Sequence, residues 1–294
     1  MFLGTFIKYL EVERGYSPHT LRAYETDLKL YDEYLKGVDG SLTLLDSDAD
    51  LVRGWMASLM DKGCAVSSVC RKLSSLRAFF VYVKGKGLVL QNPTSALHAP
   101  KKRKRLPVFV KEEDMDRLFD GAFSDDEFLD VRDRAIFSCF YEMGLRLSEL
   151  VGLRLSDVDF YENQVKVCGK RDKQRIIPFG EFLKSLLLEY LDKRSALQMV
   201  DQDVFFVTKR GTSLSASRVY NMVREKLSFF STVKRRGPHT LRHTFATVML
   251  NNDAEIGVVK ELLGHRQLTT TEVYTHVTFE ELKKSYKKAH PRAE

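Results

Sequence analysis

His239 and Arg242 stand three residues apart in PHTLRHTFATVML, residues 238–250, with His243 one place further on. Apolar Leu241, Phe245 and Met249 recur at helical spacing and Pro238 suits a first turn, so the stretch reads as an amphipathic helix. Residues three or four apart share a helix face, so His239, Arg242, His243 and Ala246 can converge. Three chemistries compete for such a face. The plainest is a buried histidine beside a surface arginine, which short HxxR matches usually are. A zinc site would use His239 and His243 with His265 or His276. Thr240, however, occupies the place of the glutamate of an HExxH protease, and Arg242 would set a fixed cation beside the metal. Both features weaken the metal reading. In phosphate chemistry Arg242 would neutralise a phosphodiester while His239 exchanged protons.

Further candidates lie at the ends of predicted elements. A helix from about Asp125 to Met143 closes at Gly144, placing Arg146 at a junction with Glu149 one turn on. An exposed pair of that kind contributes at most about 1 kcal/mol. Val165 and Val167 alternate with polar residues and Arg175-Ile176-Ile177-Pro178 returns, giving a hairpin with Lys170 at its tip. A short strand is expected around 157–161 and another over 204–207. The helix 256–263 ends in Leu-Leu-Gly-His, so His265 emerges just past a glycine C-cap, and Tyr274 follows nine residues later.

These groups need a scaffold, and the pattern predicts a mainly helical one with a small β-hairpin. Four helices fill the first third: one over the opening residues, a second opening at Ser17-Pro18, a third over 48–61 and a fourth from about Ser67. The fourth directs Val69, Leu73, Leu76, Phe80 and Val83 inward, and its other face carries Arg71, Lys72 and Arg77 as candidate DNA contacts. HAPKKRKRLP then breaks the periodicity with Lys101, Lys102, Arg103, Lys104 and Arg105 in succession. The boundaries drawn are a domain over 1–98, a basic linker over 99–107 and a second domain over 108–294. Five linker cations set on phosphates would contribute a salt slope of roughly −4 to −5.

The chain has 294 residues, enough for two domains with their own cores. Apolar and charged contents of 44% and 30% fit a soluble globular protein, and no run is long and apolar enough for a membrane span. The opening residues lack the order of a secretory signal, so a cytoplasmic location is expected. A net charge of +7 favours a polyanionic partner. Cys64, Cys70, Cys139 and Cys168 form no CxxC pair, which suits reduced thiols.

Five stretches, YSPHTLRAYETDL, YEMGLRLSELVGL, GKRDKQRIIP, PHTLRHTFAT and ELLGHRQLTTTEVYTHV, stand in the order and at the spacing of the Xer-type tyrosine recombinases, which essentially the whole chain resembles. The resemblance implies a four-helix SAM-like core-binding domain followed by a tyrosine-recombinase catalytic domain. It also implies catalytic roles for Arg146, Lys170, His239, Arg242 and His265, with Tyr274 as nucleophile and Glu149 supporting the site. His243 matches a common family residue outside that set. The implied reaction cuts and rejoins DNA through a 3′-phosphotyrosyl intermediate, without ATP or metal, on double-stranded recombination sites held by a homo- or hetero-tetramer. An activating partner is possible in that scheme, and the last helix, 279–290, is expected to dock on a neighbouring protomer. Resolution of chromosome or plasmid dimers is the leading role, with integration of a phage or conjugative element as the alternative. A nicking enzyme of the type IB topoisomerase kind and a non-catalytic DNA-binding module rank lower.

Overall fold

A computed structural model of the chain describes residues 2–100, 108–169, 174–198, 200–230, 233, 236–264 and 278–293. It divides into two compact units, Met1–Arg105 and Leu106–Glu294.

The first unit holds the four expected helices, α1 (Phe2–Val12), α2 (Pro18–Val38), α3 (Ala49–Asp61) and α4 (Val66–Gly85). Their starts follow from local chemistry. Ser17 Oγ accepts from the Thr20 N–H at 3.4 Å ahead of Pro18, and Asp48 accepts from the Leu51 N–H at 2.7 Å. Helix α2 runs to a cap at Asp39, whose N–H donates to the Leu35 carbonyl. Val69, Leu73, Leu76, Phe80 and Val83 are buried as the spacing required, packed with Phe6, Leu28, Tyr31 and Trp55.

One expectation for α4 is corrected. Lys72 does not lie on the outer face: it is buried, with its Nζ donating to Asp27 Oδ1 at 3.0 Å and lying 6.0 Å from the centroid of the Trp55 ring. Position 72 adjoins the inward stripe of 69, 73 and 76, and the fully buried Asp27 of α2 supplies the charge that lets an ammonium enter. Arg71 is exposed yet ion-paired with the same carboxylate, and Arg77 is half-buried and donates to the Leu97 carbonyl.

The second unit comprises α5 (Glu112–Asp120), α6 (Glu127–Glu142), α7 (Leu147–Val151), β1 (Val158–Asp159), β2 (Gln164–Cys168), β3 (Gln174–Pro178), α8 (Glu181–Ser195), α9 (Ala216–Phe230), α10 (Pro238–Asn251), α11 (Ile256–Leu263) and α12 (Phe279–Ala289). The sheet is antiparallel in the order β1-β2-β3, with Val165 opposite Ile177 and Val167 opposite Arg175. Val165, Val167 and Ile177 are buried, so this face turns to the core and Arg175 shares it. The strand expected over 204–207 is only a pair of isolated bridges, Arg154 with Val204 and Val207 with Ser213, around buried Phe205 and Phe206.

Helix α10 packs against α6, α9, α11 and α12, burying Leu241, Phe245 and Met249. Helix α12 ends the second unit in sequence. Here Leu282, Tyr286 and Ala289 are buried in the core of its own unit, and Asn252 Nδ2 donates to the Ala289 carbonyl at 2.8 Å. Its apolar stripe has found acceptors in α10, α11 and β3 of the same chain. Cys70 and Cys139 are buried and Cys168 is exposed. Among the described residues no helix is long and apolar enough to cross a membrane.

Candidate active site

Three guanidiniums meet at one helix end. The last carbonyls of an α-helix have no partner within it and carry the negative end of its dipole. At the end of α11, Arg146 Nη2 donates to the carbonyls of Leu263 at 3.0 Å and Gly264 at 2.8 Å. Arg242 Nη2 donates to the same Leu263 carbonyl, and Arg175 Nε donates to that of Leu262 at 2.8 Å. Arg146 comes from the start of α7, Arg242 from the first turns of α10 and Arg175 from β3, so three separate elements are tied at this point.

Glycines make the junction possible. Gly144, between α6 and α7, has φ +58°, and a Cβ there would lie 2.6 Å from Phe245 Cδ1 and 3.0 Å from Leu263 Cδ2. Its carbonyl accepts from Arg242 Nη1. Gly264 caps α11 at φ +60°, as the glycine at that position predicted, and Arg175 lies across it, 3.2 Å from where a Cβ would be.

Among the described residues, Glu149 is the single carboxylate bonded to these arginines. Its Oε1 accepts from Arg146 Nη1 at 2.6 Å and Arg175 Nη1 at 2.7 Å. Its Oε2 accepts from the Arg146 backbone N–H at 2.8 Å and Arg175 Nη2 at 2.9 Å. Burial opposes ionisation of this carboxyl. The bonds from Arg175, the Arg146 N–H and the Arg146 guanidinium outweigh it and hold the pKa at about 2. Among the described residues no carboxylate pairs with Arg242. Burial first, and then the neighbouring Arg146 charge, pull its pKa down to about 10. Three cations against one anion leave a surplus of positive charge that an incoming phosphate would neutralise.

Arg146, Glu149 and Arg242 are thus brought together. His239 lies exposed in the first turn of the helix that carries Arg242, and His243 is exposed one turn later. Lys170, His265, Tyr274 and the linker residues Lys101, Lys102, Arg103, Lys104 and Arg105 lie outside the described residues, as does His276. Among the described residues no group of three or more His, Cys, Asp or Glu side chains could hold a metal ion. Arg175 was read only as part of a returning strand. Its signal was available, since the alternation that turns Val165, Val167 and Ile177 inward turns Arg175 inward too.

The chain matches two family models, "Phage integrase family" over residues 109–281 and "Phage integrase, N-terminal SAM-like domain" over residues 3–87. It is 37% identical over 295 aligned positions to "Tyrosine recombinase XerC" of Thermodesulfovibrio yellowstonii, covering 99% of this chain and 96% of that one. The protein of the same name from Chlorobaculum tepidum is 39% identical, covering 99% of this chain and 95% of its own length. Among solved structures, the XerH site-specific recombinase bound to its difH substrate, in a pre-cleavage complex, superposes with a TM-score of 0.71 at 21% identity, covering 96% of this chain and 83% of that one.

Proposed function

We propose a role for this chain from one premise: it belongs to the phage integrase family and is a tyrosine recombinase. Its substrate is double-stranded DNA carrying a specific recombination site, and its task is the resolution of chromosome or plasmid dimers in the cytoplasm. The observation that carries this reading is the convergence of Arg146 and Arg242 on the Leu263 carbonyl, where guanidiniums outnumber carboxylates.

Tyr274 attacks the scissile phosphorus through its phenolic oxygen, the bond from phosphorus to the 5′ oxygen breaks, and a 3′-phosphotyrosyl ester forms. The phenolic proton passes to His239, and Lys170 protonates the departing 5′ oxygen. Arg146, Arg242 and His265 hold the non-bridging oxygens as charge builds on them. The ester conserves the bond energy, so a 5′ hydroxyl from a second duplex reverses the step on a new partner. Exchange between two sites, each holding two protomers, calls for a tetramer, either of this chain alone or with a second recombinase. An activating protein would act on that assembly.

The test begins by selecting duplexes that the full chain binds from a random library. A nicked form of the selected site should trap a protein–DNA adduct on denaturing gels, absent with Tyr274→Phe and unaffected by a chelator. A plasmid with two copies in direct repeat should lose the intervening segment. Adduct formation by Tyr274→Phe would remove the nucleophile assignment, and loss with chelator would bring the metal reading back.

A further inference from the structure

Glu149 is bonded by two arginines with different surroundings. Arg146 stands at the open side of the cluster, whereas Arg175 comes from the inward face of β3 and is wedged across Gly264. Arg175 spends all three of its nitrogens, Nη1 and Nη2 as a fork on the two oxygens of Glu149 and Nε on Leu262. These bonds turn its fork to the carboxylate and its Nε to the end of α11, and so fix the side chain in place. We infer that Arg175 is a positioning residue for the strand-cleavage chemistry: by occupying Glu149 it prevents that carboxylate from neutralising Arg146, and so keeps the Arg146 and Arg242 charges available to the phosphate. The inference rests on the recombinase chemistry proposed above.

The charge count shows why this matters. Arg146, Arg175 and Arg242 against Glu149 leave a net charge of +2, by subtraction of one carboxylate from three guanidiniums. A phosphodiester carries one negative charge and attack of a phenolate adds a second, so the surplus matches the total charge of the transition state. Without Arg175 the surplus falls to +1, and among the described residues Arg146 becomes the only cation bonded to Glu149. A guanidinium pairs with a carboxylate by a two-bond fork, and that fork would turn Arg146 toward Glu149 and away from the phosphate. Arg175 also ties β3, the return strand after Lys170 in the sequence, to the end of α11 that leads to His265. Lysine could not substitute, because a point-charge ammonium cannot span both oxygens and a carbonyl at once.

The experiment uses the full chain and the selected nicked duplex, comparing the unsubstituted protein with Arg175→Ala, Arg175→Lys and the double variant Glu149→Gln/Arg175→Ala. Duplex dissociation constant, single-turnover rate of adduct formation and melting temperature are read for each. Arg175→Ala should slow adduct formation by about 100-fold, the scale of losing one transition-state donor, with the duplex dissociation constant unchanged. Glu149→Gln removes the charge that captures Arg146, so the double variant should regain about tenfold of that rate, a coupling between residues in contact. Arg175→Lys, which keeps the charge, should fold even where the alanine variant does not, and should cleave slowly with unchanged duplex affinity. A purely structural role for Arg175 predicts a double variant no faster than Arg175→Ala. That outcome, or cleavage at the unsubstituted rate by Arg175→Lys, would overturn the inference. Absence of adduct from the unsubstituted chain would instead refute the underlying chemistry.

Discussion

Two buried carboxylates, Asp27 in the first unit and Glu149 in the second, are each held by two cations, and the two clusters are built almost alike. Asp27 and Glu149 each have an inner cation, Lys72 or Arg175, whose side chain is 10% exposed in both cases. Each also has an outer one, Arg71 at 46% and Arg146 at 28%. What differs is the company. Asp27 adds a neutral hydroxyl, with Ser75 Oγ donating at 2.8 Å, whereas the Glu149 cluster adds a third cation, Arg242, held by carbonyls instead of a carboxylate. Carbonyl acceptors orient a guanidinium without cancelling its charge. The same device is therefore a clamp between α2 and α4 in one unit and a charged receptacle in the other.

The clamp breaks with the largest effect. Asp27→Ala leaves the buried Lys72 ammonium without its anion, and removing one partner of a buried pair costs about 3–5 kcal/mol. Denaturant unfolding followed by Trp55, whose ring lies beside Lys72, should report that loss. A cost below about 1 kcal/mol, the range of surface pairs, would mean that Asp27 holds nothing together.

A smaller effect comes from the acidity of Glu149. Its pKa is about 2 in the folded chain against the ordinary 4.5, so the folded state favours the ionised form. The resulting stabilisation is fully present above pH 4.5 and disappears as pH falls through 2. The difference of 2.5 units corresponds to about 3 kcal/mol. Glu149→Gln has no proton to lose. The stability gap between the unsubstituted chain and this variant should therefore be widest near pH 6 and narrow by that amount on acidification. A gap independent of pH between 6 and 2 would show that the two arginines do not hold the carboxylate.

Much of this is legible in the sequence, and the gaps have physical causes. Helical period, the Ser17-Pro18 start and the Gly264 stop are local signals, and the elements they mark are present. The junction Arg146–Glu149 was read as a local pair because four residues show only neighbours in sequence. The second half of that pair, Arg175, is 26 residues away, and only strand register brings it in. The burial of Lys72 escapes the helical pattern for a related reason. A residue bordering an apolar stripe goes in or out according to whether a partner awaits it, and Asp27 lies 45 residues earlier. Charges that are buried in pairs across the fold escape a reading made one helix at a time.

The smallest stability effect, and the sharpest contrast, comes from the two outer arginines. Arg71 and Arg146 each share a carboxylate that other groups still hold, by Lys72 and Ser75 in one unit and by Arg175 in the other. Replacing either by alanine should cost at most about 1 kcal/mol of stability, as for partly exposed pairs. Function should separate them. Arg146→Ala removes a donor to the phosphate and should slow adduct formation about 100- to 1,000-fold. Arg71→Ala should leave that rate untouched. If Arg71 still reaches a phosphate, as its exposed position on α4 first suggested, the salt slope of duplex binding should fall by about 0.9, the value for one phosphate contact. An unchanged slope would assign Arg71 wholly to the clamp, and an equal slowing by both variants would erase the distinction between clamp and receptacle.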